Sequence, residues 1–196
     1  VSDRSAIELA AQTLQDAELL IADGHHRYET ARVYAEEIGG EGPHRYVLMC
    51  LVALQDPGLT VFPTHRLVRG LRADQHEARA EALRADFEIE PLADVAALAP
   101  TSSDRVQIGY IDAHFRRPFM LTLKDPTIAD RALPQRAEPY RRLDTVVLEA
   151  LILKGALEMT DEDIDHLHGL GYARDEAQAL ELVRSGEYDV AFFMAP

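Results

Sequence analysis

The apolar residues recur with the period of a helix in some segments and gather into short runs in others. A spacing of three and four residues predicts a helix over residues 5–14 and another that begins after Gly24 and ends at Gly39. The same spacing predicts further helices at residues 76–86, 143–157 and 174–185, and a helix start at residues 160–163. Short apolar runs predict strands at residues 19–22, 46–54, 59–68, 87–92, 106–111, 115–123, 170–172 and 189–194. The expected fold class is therefore α+β (mixed α/β).

Two pairs of these strands are expected to form β-hairpins. Segments 46–54 and 59–68 flank the turn residues Asp56-Pro57-Gly58. The alternative for 46–54 is a buried helix, but nine residues are few for a helix, and the β-branched and aromatic residues favour a strand. The second predicted hairpin joins residues 106–111 and 115–123.

Residues 23–27, Asp-Gly-His-His-Arg, follow the strand-like run 19–22 and lead into the predicted helix. This order predicts a strand, a tight glycine turn and a helix start. The first turn of a helix favours acidic residues because its free N–H groups and macrodipole are positive. Here it contains His25, His26 and Arg27 instead. Such a set is expected around a bound anion, so the sequence predicts a phosphate or nucleotide site.

Within this site, Gly24 is expected to form the turn, and Asp23 and His26 are the candidate catalytic residues. Asp23 has two interpretations: it caps the helix, or it lies beside the phosphate as a magnesium ligand or catalytic carboxylate. The alternative for His25 and His26 is a pair of hydrogen-bonded structural histidines. A zinc-type site that adds His65 is a minor hypothesis, because adjacent histidines on a helix point in different directions.

A second His-Arg pair, His65-Arg66, follows Pro63-Thr64 in the first predicted hairpin. If the strands bring it near residues 23–27, both side chains can contact the same anion. The alternative is an arginine of the hairpin that pairs with a surface carboxylate.

Charge and composition narrow the range of functions. The chain has 196 residues, of which 47% are hydrophobic and 28% charged, as in an ordinary globular protein. The balance of 34 acidic against 20 basic residues gives a net charge of −14, which disfavours binding to nucleic acid. Neither a membrane span nor a signal peptide is recognisable, so a cytoplasmic location is expected.

Several classes of site are also excluded or unexpected. The only cysteine, Cys50, lies in an apolar run and is expected to be buried. The chain contains neither a P-loop nor the Gly-x-Ser-x-Gly motif of many hydrolases. Two regions are expected, a motif region at 1–72 and an α+β region at 73–196, although one continuous domain is the alternative.

The segment Asp-Gly-His-His-Arg-Tyr-Glu-Thr-Ala at residues 23–31, together with residues 63–66, resembles a widespread bacterial and archaeal family. That family is known only as domain of unknown function, family one thousand and fifteen. The resemblance extends through residues 143–148 to 186–192, and therefore covers nearly the full chain. Members of the family are longer at both ends, so the chain is expected to be a fragment of a longer protein.

The Gly-His-His-Arg element is also similar, more remotely, to the phosphate-binding turn of the ParB, sulfiredoxin and ADP-dependent free-serine-kinase superfamily. This resemblance implies that Gly24, His25, His26 and Arg27 hold nucleotide phosphates, with Asp23 near the reacting end. The DNA-binding part of ParB has no counterpart here, and the net charge does not suit it.

The expected function is therefore binding of a phosphate or nucleotide, with a possible nucleotide-dependent phosphotransfer to a small molecule. The expected cofactor is ADP, ATP or CTP with magnesium. The expected partners are small phosphorylated ligands, with no nucleic acid and no membrane. The alternative is a non-catalytic domain that senses a nucleotide or another phosphorylated metabolite, or acts as a scaffold.

Overall fold

The computed structural model describes residues 3–59, 62–101 and 104–195. The chain divides into two compact units, Val1–Leu59 and Thr60–Pro196. The two units differ in how they are stabilised. None of residues 3–59 is buried, whereas the second unit contains a hydrophobic core.

The first unit contains two helices and a short 3₁₀ turn. Helix α1 spans Arg4–Leu14, and Asp3 caps it because its Oδ1 accepts a hydrogen bond from the backbone N–H of Ser5 at 2.9 Å. Helix α2 spans His25–Ile38, as the apolar spacing predicted, and the 3₁₀ turn spans Pro43–Arg45.

The strands predicted for this unit are absent from its described residues, 3–59. Segments 19–22 and 46–54 have no regular secondary structure, so the strand before the glycine turn and the first hairpin were wrong. A strand is stable only when a neighbour accepts and donates its backbone hydrogen bonds, and these residues find no such partner. Their apolar side chains stay in solvent, and Leu48 is 99% exposed. Cys50 is exposed for the same reason, which corrects the prediction that it is buried.

In the described residues of the second unit, six strands form one antiparallel sheet in the order β2-β4-β3-β6-β1-β5. The strands are β1 His65–Val68, β2 Phe87–Pro91, β3 Gln107–Asp112, β4 Phe119–Leu123, β5 Leu170–Ala173 and β6 Val190–Phe193. The predicted hairpin of residues 106–111 and 115–123 is confirmed as the pair β3–β4. Of the predicted strand 59–68, only β1 forms, and residues 60 and 61 lie outside the described residues.

Helices cover this sheet. Their bounds are α3 Ala73–Asp86, α4 Pro126–Ala132, α5 Glu138–Arg141, α6 Asp144–Leu148, α7 Asp161–Asp165 and α8 Glu176–Arg184. Four of the helical segments lie at predicted positions, whereas α4 and α5 were not predicted from the sequence. Helix α6 continues as a π-helical segment, Glu149–Ala156. Thr160 caps α7, since its hydroxyl oxygen accepts a hydrogen bond from Asp163 N–H at 3.1 Å. The mixed α+β fold class is thus confirmed.

Both faces of the sheet contribute to the core. Phe192 and Phe193 are neighbours on β6, so their side chains point to opposite faces, and both are fully buried. Phe192 packs in a cluster that includes Leu83 of α3, and Phe193 packs in a cluster that includes Leu180 of α8. Full burial of a side chain of this size stabilises the fold by about 1.5–3 kcal/mol.

Every helix in the described part of the chain is too short or too polar to reach across a lipid bilayer.

Candidate functional site

The start of α2 is a helix end without a side-chain cap. Gly24 precedes the helix with φ 86°, a left-handed conformation that glycine adopts without steric cost. The first hydrogen bond of the helix runs from Tyr28 N–H to the Gly24 carbonyl, at 2.9 Å. Among the described residues, the backbone N–H groups of His25, His26 and Arg27 have no acceptor. The positive end of the helix is therefore open to an anion.

Asp23 does not cap this helix, so that interpretation was wrong. Its Oδ2 instead accepts a hydrogen bond from Arg27 Nη2 at 3.0 Å. Both side chains are in solvent, 92% exposed for Asp23 and 78% for Arg27. An exposed pair at this spacing contributes only about 0.3–0.5 kcal/mol, so a bound anion can displace the carboxylate at little cost.

Residues 23–27 line a concavity of about 350 Å³. The Arg27 side chain crosses Gly24 so closely that a Cβ at residue 24 would lie 3.1 Å from Nη2. Glycine is thus favoured here by its positive φ, and an added Cβ would also push the Arg27 guanidinium from its present position by a few tenths of an ångström. The concavity is lined by a guanidinium, two imidazoles and one carboxylate.

His25 and His26 are exposed, and no hydrogen bond to either imidazole is present within the described residues. The alternative of two hydrogen-bonded structural histidines is therefore wrong. Their rings are free to donate to a ligand, because an imidazole always has at least one N–H.

No three His, Cys, Asp or Glu side chains of the described residues come together in a way that would hold a metal ion.

His65 belongs to the second unit, where it is fully buried in β1. Its Nδ1 accepts a hydrogen bond from Met194 N–H at 3.2 Å, and its ring lies 4.9 Å from that of Phe193. Burial lowers the pKa of the His65 imidazole, although the carboxylates of Glu176 and Asp175 oppose the shift. The ring is therefore part of the core of its own unit.

Arg66 follows on the same strand and is half-buried. Its guanidinium stacks on the ring of Tyr172, 5.4 Å from the centroid, and donates a hydrogen bond to the Thr64 carbonyl. Burial lowers the pKa of Arg66. The convergence of His65 and Arg66 with residues 23–27 stays a prediction.

A buried polar cluster in the second unit was not predicted from the sequence. The Tyr110 hydroxyl donates to Asp112 Oδ2 at 2.9 Å, and Arg79 Nη2 lies 3.8 Å from the same oxygen. All three side chains are buried, and burial raises the pKa of the Tyr110 hydroxyl. Arg79 lies in α3, a helix rich in alanine, glutamate and arginine, and nothing in the sequence pattern indicated that this residue is buried. The described contacts make the cluster part of the core.

The sequence also missed a cleft beside α2 in the first unit. This cleft of about 500 Å³ lies between one face of α2 and the residues that follow Gly39. Arg32 lines it and is held by Glu29, at 3.0 Å, and by Glu36, at 2.7 Å.

A family model described as "Protein of unknown function (DUF1015)" matches residues 1–146. This match confirms the resemblance that residues 23–31 indicated. The extension of the resemblance to residues 186–192 lies beyond the matched range and stays a prediction. No curated protein and no solved structure matches the chain. The remote relation to the ParB and free-serine-kinase superfamily stays a prediction.

Proposed function

Because the chain belongs to the DUF1015 family of proteins of unknown function, we propose its function from its own residues: residues 23–27 bind the phosphate groups of a nucleotide. The ligand is a small phosphorylated molecule, with ADP, ATP and CTP as the first candidates. A cytoplasmic location is part of this proposal, since nucleotides are available there.

The proposal is supported above all by the uncapped start of α2. Its first turn contains no acidic residue, and the N–H groups of His25, His26 and Arg27 have no acceptor in the described part of the chain. Cations at the positive end of a helix cost free energy unless an anion compensates them. A phosphate can compensate these cations, because its oxygens accept hydrogen bonds from the backbone N–H groups and from the Arg27 guanidinium at the same time.

We extend the proposal to phosphotransfer, in which the phosphoryl group passes from the nucleotide to a hydroxyl of a small acceptor. When phosphate engages Arg27, the Asp23 carboxylate is released from its ion pair. It can then accept the proton of the acceptor hydroxyl, or hold a magnesium ion that accompanies the nucleotide. His26 donates a hydrogen bond to the transferred group and stabilises its charge.

A second candidate function is binding without turnover, as in a domain that senses a nucleotide or another phosphorylated metabolite or acts as a scaffold. It is favoured by the exposure of Asp23, which is 92% in solvent. Phosphotransfer needs a site from which water is excluded, because water otherwise competes with the acceptor.

Calorimetry with ADP, ATP and CTP tests the binding site, and a turnover assay with serine and other small hydroxyl acceptors tests the chemistry. We expect Asp23→Asn to bind nucleotide in the absence of magnesium at least as tightly as the unmodified protein, since it frees Arg27 and removes a negative charge. If the domain is an enzyme, this variant loses turnover. Binding without product in the unmodified protein favours the sensor, and the absence of any nucleotide binding contradicts the proposal.

A further inference from the structure

A cleft of about 500 Å³ runs along α2, on the side of the helix that faces the residues after Gly39. Its volume falls in the range of about 300–1,000 Å³ that is usual for small-molecule sites. The side chains that matter for its chemistry are Tyr28, Arg32, Glu36, His44, Tyr46 and Val47.

The cleft shares a helix face with the phosphate turn. Successive residues of an α-helix are rotated by about 100°, so Tyr28, Ala31 and Ala35 lie on one face and Gly24 lies one turn before Tyr28 on that face. At about 1.5 Å per residue, Ala31 is about 10 Å from Gly24 along the axis. One ligand can therefore place phosphates at Gly24 and a second group in the cleft.

The lining favours a planar group that is uncharged. Tyr46 is 82% exposed, and the ring of Tyr28 is also partly in solvent, so both offer aromatic surface for stacking. The Arg32 guanidinium is already neutralised by Glu29 and Glu36, and its raised pKa reflects first its hydrogen bond to Glu29. Arg45 is the other arginine of the lining, and its Nε lies 3.8 Å from Glu41 Oε1. Both arginines of the cleft therefore already face carboxylates, which disfavours a second anion there.

We propose that this cleft holds the nucleoside part of a nucleotide, with the base stacked on Tyr46, the more exposed of the two tyrosines. The proposal rests on the proposed function, since the phosphates of the same ligand bind at residues 23–27. The Glu36 carboxylate lines the cleft and can accept hydrogen bonds from the ribose hydroxyls. The ligand is then a nucleotide rather than inorganic phosphate or a phosphate ester without an aromatic ring.

Calorimetry with ATP and with inorganic tripolyphosphate distinguishes the contribution of the nucleoside to the affinity from that of the phosphates. We expect the protein to bind ATP about tenfold more tightly than tripolyphosphate, which is the increment expected from stacking of one base. Tyr46→Ala should remove this difference and leave the affinity for tripolyphosphate unchanged, whereas Tyr46→Phe should keep it. Leu48→Ala is the matched control, because Leu48 is an exposed apolar residue of the same segment that does not line the cleft.

The outcomes distinguish the two proposals. Equal affinity for ATP and tripolyphosphate in the unmodified protein overturns the cleft proposal and leaves the phosphate site standing. If Tyr46→Ala weakens both ligands equally, Tyr46 acts through the phosphate turn or the fold, and the cleft proposal is also overturned. If neither ligand binds, the proposed function fails and the cleft proposal fails with it.

Discussion

Arg27 and Asp23 form an ion pair across the glycine turn, with Nη2 and Oδ2 3.0 Å apart. The guanidinium expected to bind phosphate is therefore held by the carboxylate expected to take part in the chemistry. Because both side chains are exposed, the pair is weak and can open when an anion arrives. Under the proposed function, Asp23 keeps Arg27 over the turn in the absence of ligand and would be freed when a phosphate binds.

Arg27→Ala should reduce the affinity for tripolyphosphate by about ten- to hundredfold, the loss expected when charge-assisted hydrogen bonds are removed. The melting temperature should change little, because Arg27 is 78% exposed and its ion pair is weak. Calorimetry and thermal unfolding measure the two quantities.

Arg4→Ala is the control for the loss of one positive charge. Arg4 is an exposed residue at the first position of α1, whose end is capped by Asp3. Arg32, the next arginine of α2, is less suitable because its removal would leave Glu29 and Glu36 unpaired. An equal loss of affinity in Arg4→Ala and Arg27→Ala would sink the phosphate-site hypothesis, and unfolding of Arg27→Ala would make the arginine structural.

Gly24→Ala should weaken phosphate binding more than it weakens the fold. An alanine at φ 86° costs about 1–2 kcal/mol, and its Cβ would also crowd the Arg27 guanidinium. Gly40→Ala is the matched control, since Gly40 has φ 69° and no atom lies within 4 Å of the Cβ that would be added. We expect the two variants to lose similar amounts of stability, but only Gly24→Ala should lose affinity for tripolyphosphate. If both variants bind tripolyphosphate with equal affinity, the position of the Arg27 guanidinium over Gly24 does not matter for binding.

Most of the second unit was predictable because most of its strands and helices follow the local sequence pattern. The hairpin β3–β4 forms from the two predicted apolar runs, and the Thr160 cap lies where the sequence predicted a helix start. In the first unit, segment 46–54 has the same β-propensity but no neighbour to pair with. Propensity favours an extended chain and cannot supply the partner strand. Similarly, the residue types at 23–27 indicated the site, but the Asp23–Arg27 pair depends on side-chain geometry that no spacing encodes.

Asp112→Asn should destabilise the second unit by about 3 kcal/mol, because it leaves the buried Arg79 without a compensating charge. The asparagine oxygen can still accept a hydrogen bond from the Phe115 N–H, which now binds Asp112 Oδ1 at 2.6 Å. The amide NH2 then replaces Oδ2, so the variant loses both the negative charge beside Arg79 and the acceptor of the Tyr110 hydroxyl. Glu88→Gln is the control: it breaks the 3.2 Å ion pair with Arg105 in solvent and should cost less than about 1 kcal/mol. Urea unfolding measures the free energy of unfolding of both variants. Equal losses in the two would show that the buried Asp112 carboxylate stabilises the fold no more than an exposed one.

His65 should make the second unit less stable in mild acid. Its pKa in the folded protein is depressed by burial below the ordinary value of about 6.5. Between these two pKa values the unfolded chain binds more protons than the folded one, so the free energy of unfolding rises with pH. The stabilisation is complete above about pH 6.5 and is lost progressively as the pH falls below it.

Urea unfolding at pH 7.5, 6.5 and 5.5 measures how the free energy of unfolding depends on pH. A single titrating group contributes a slope of at most about 1.4 kcal/mol per pH unit. His65→Gln should reduce this slope, because glutamine does not titrate. Its side-chain oxygen can still accept the hydrogen bond from the Met194 N–H. His166→Gln, at an exposed histidine of the same unit, should leave the slope unchanged. A slope that persists in His65→Gln would assign the acid sensitivity to another group.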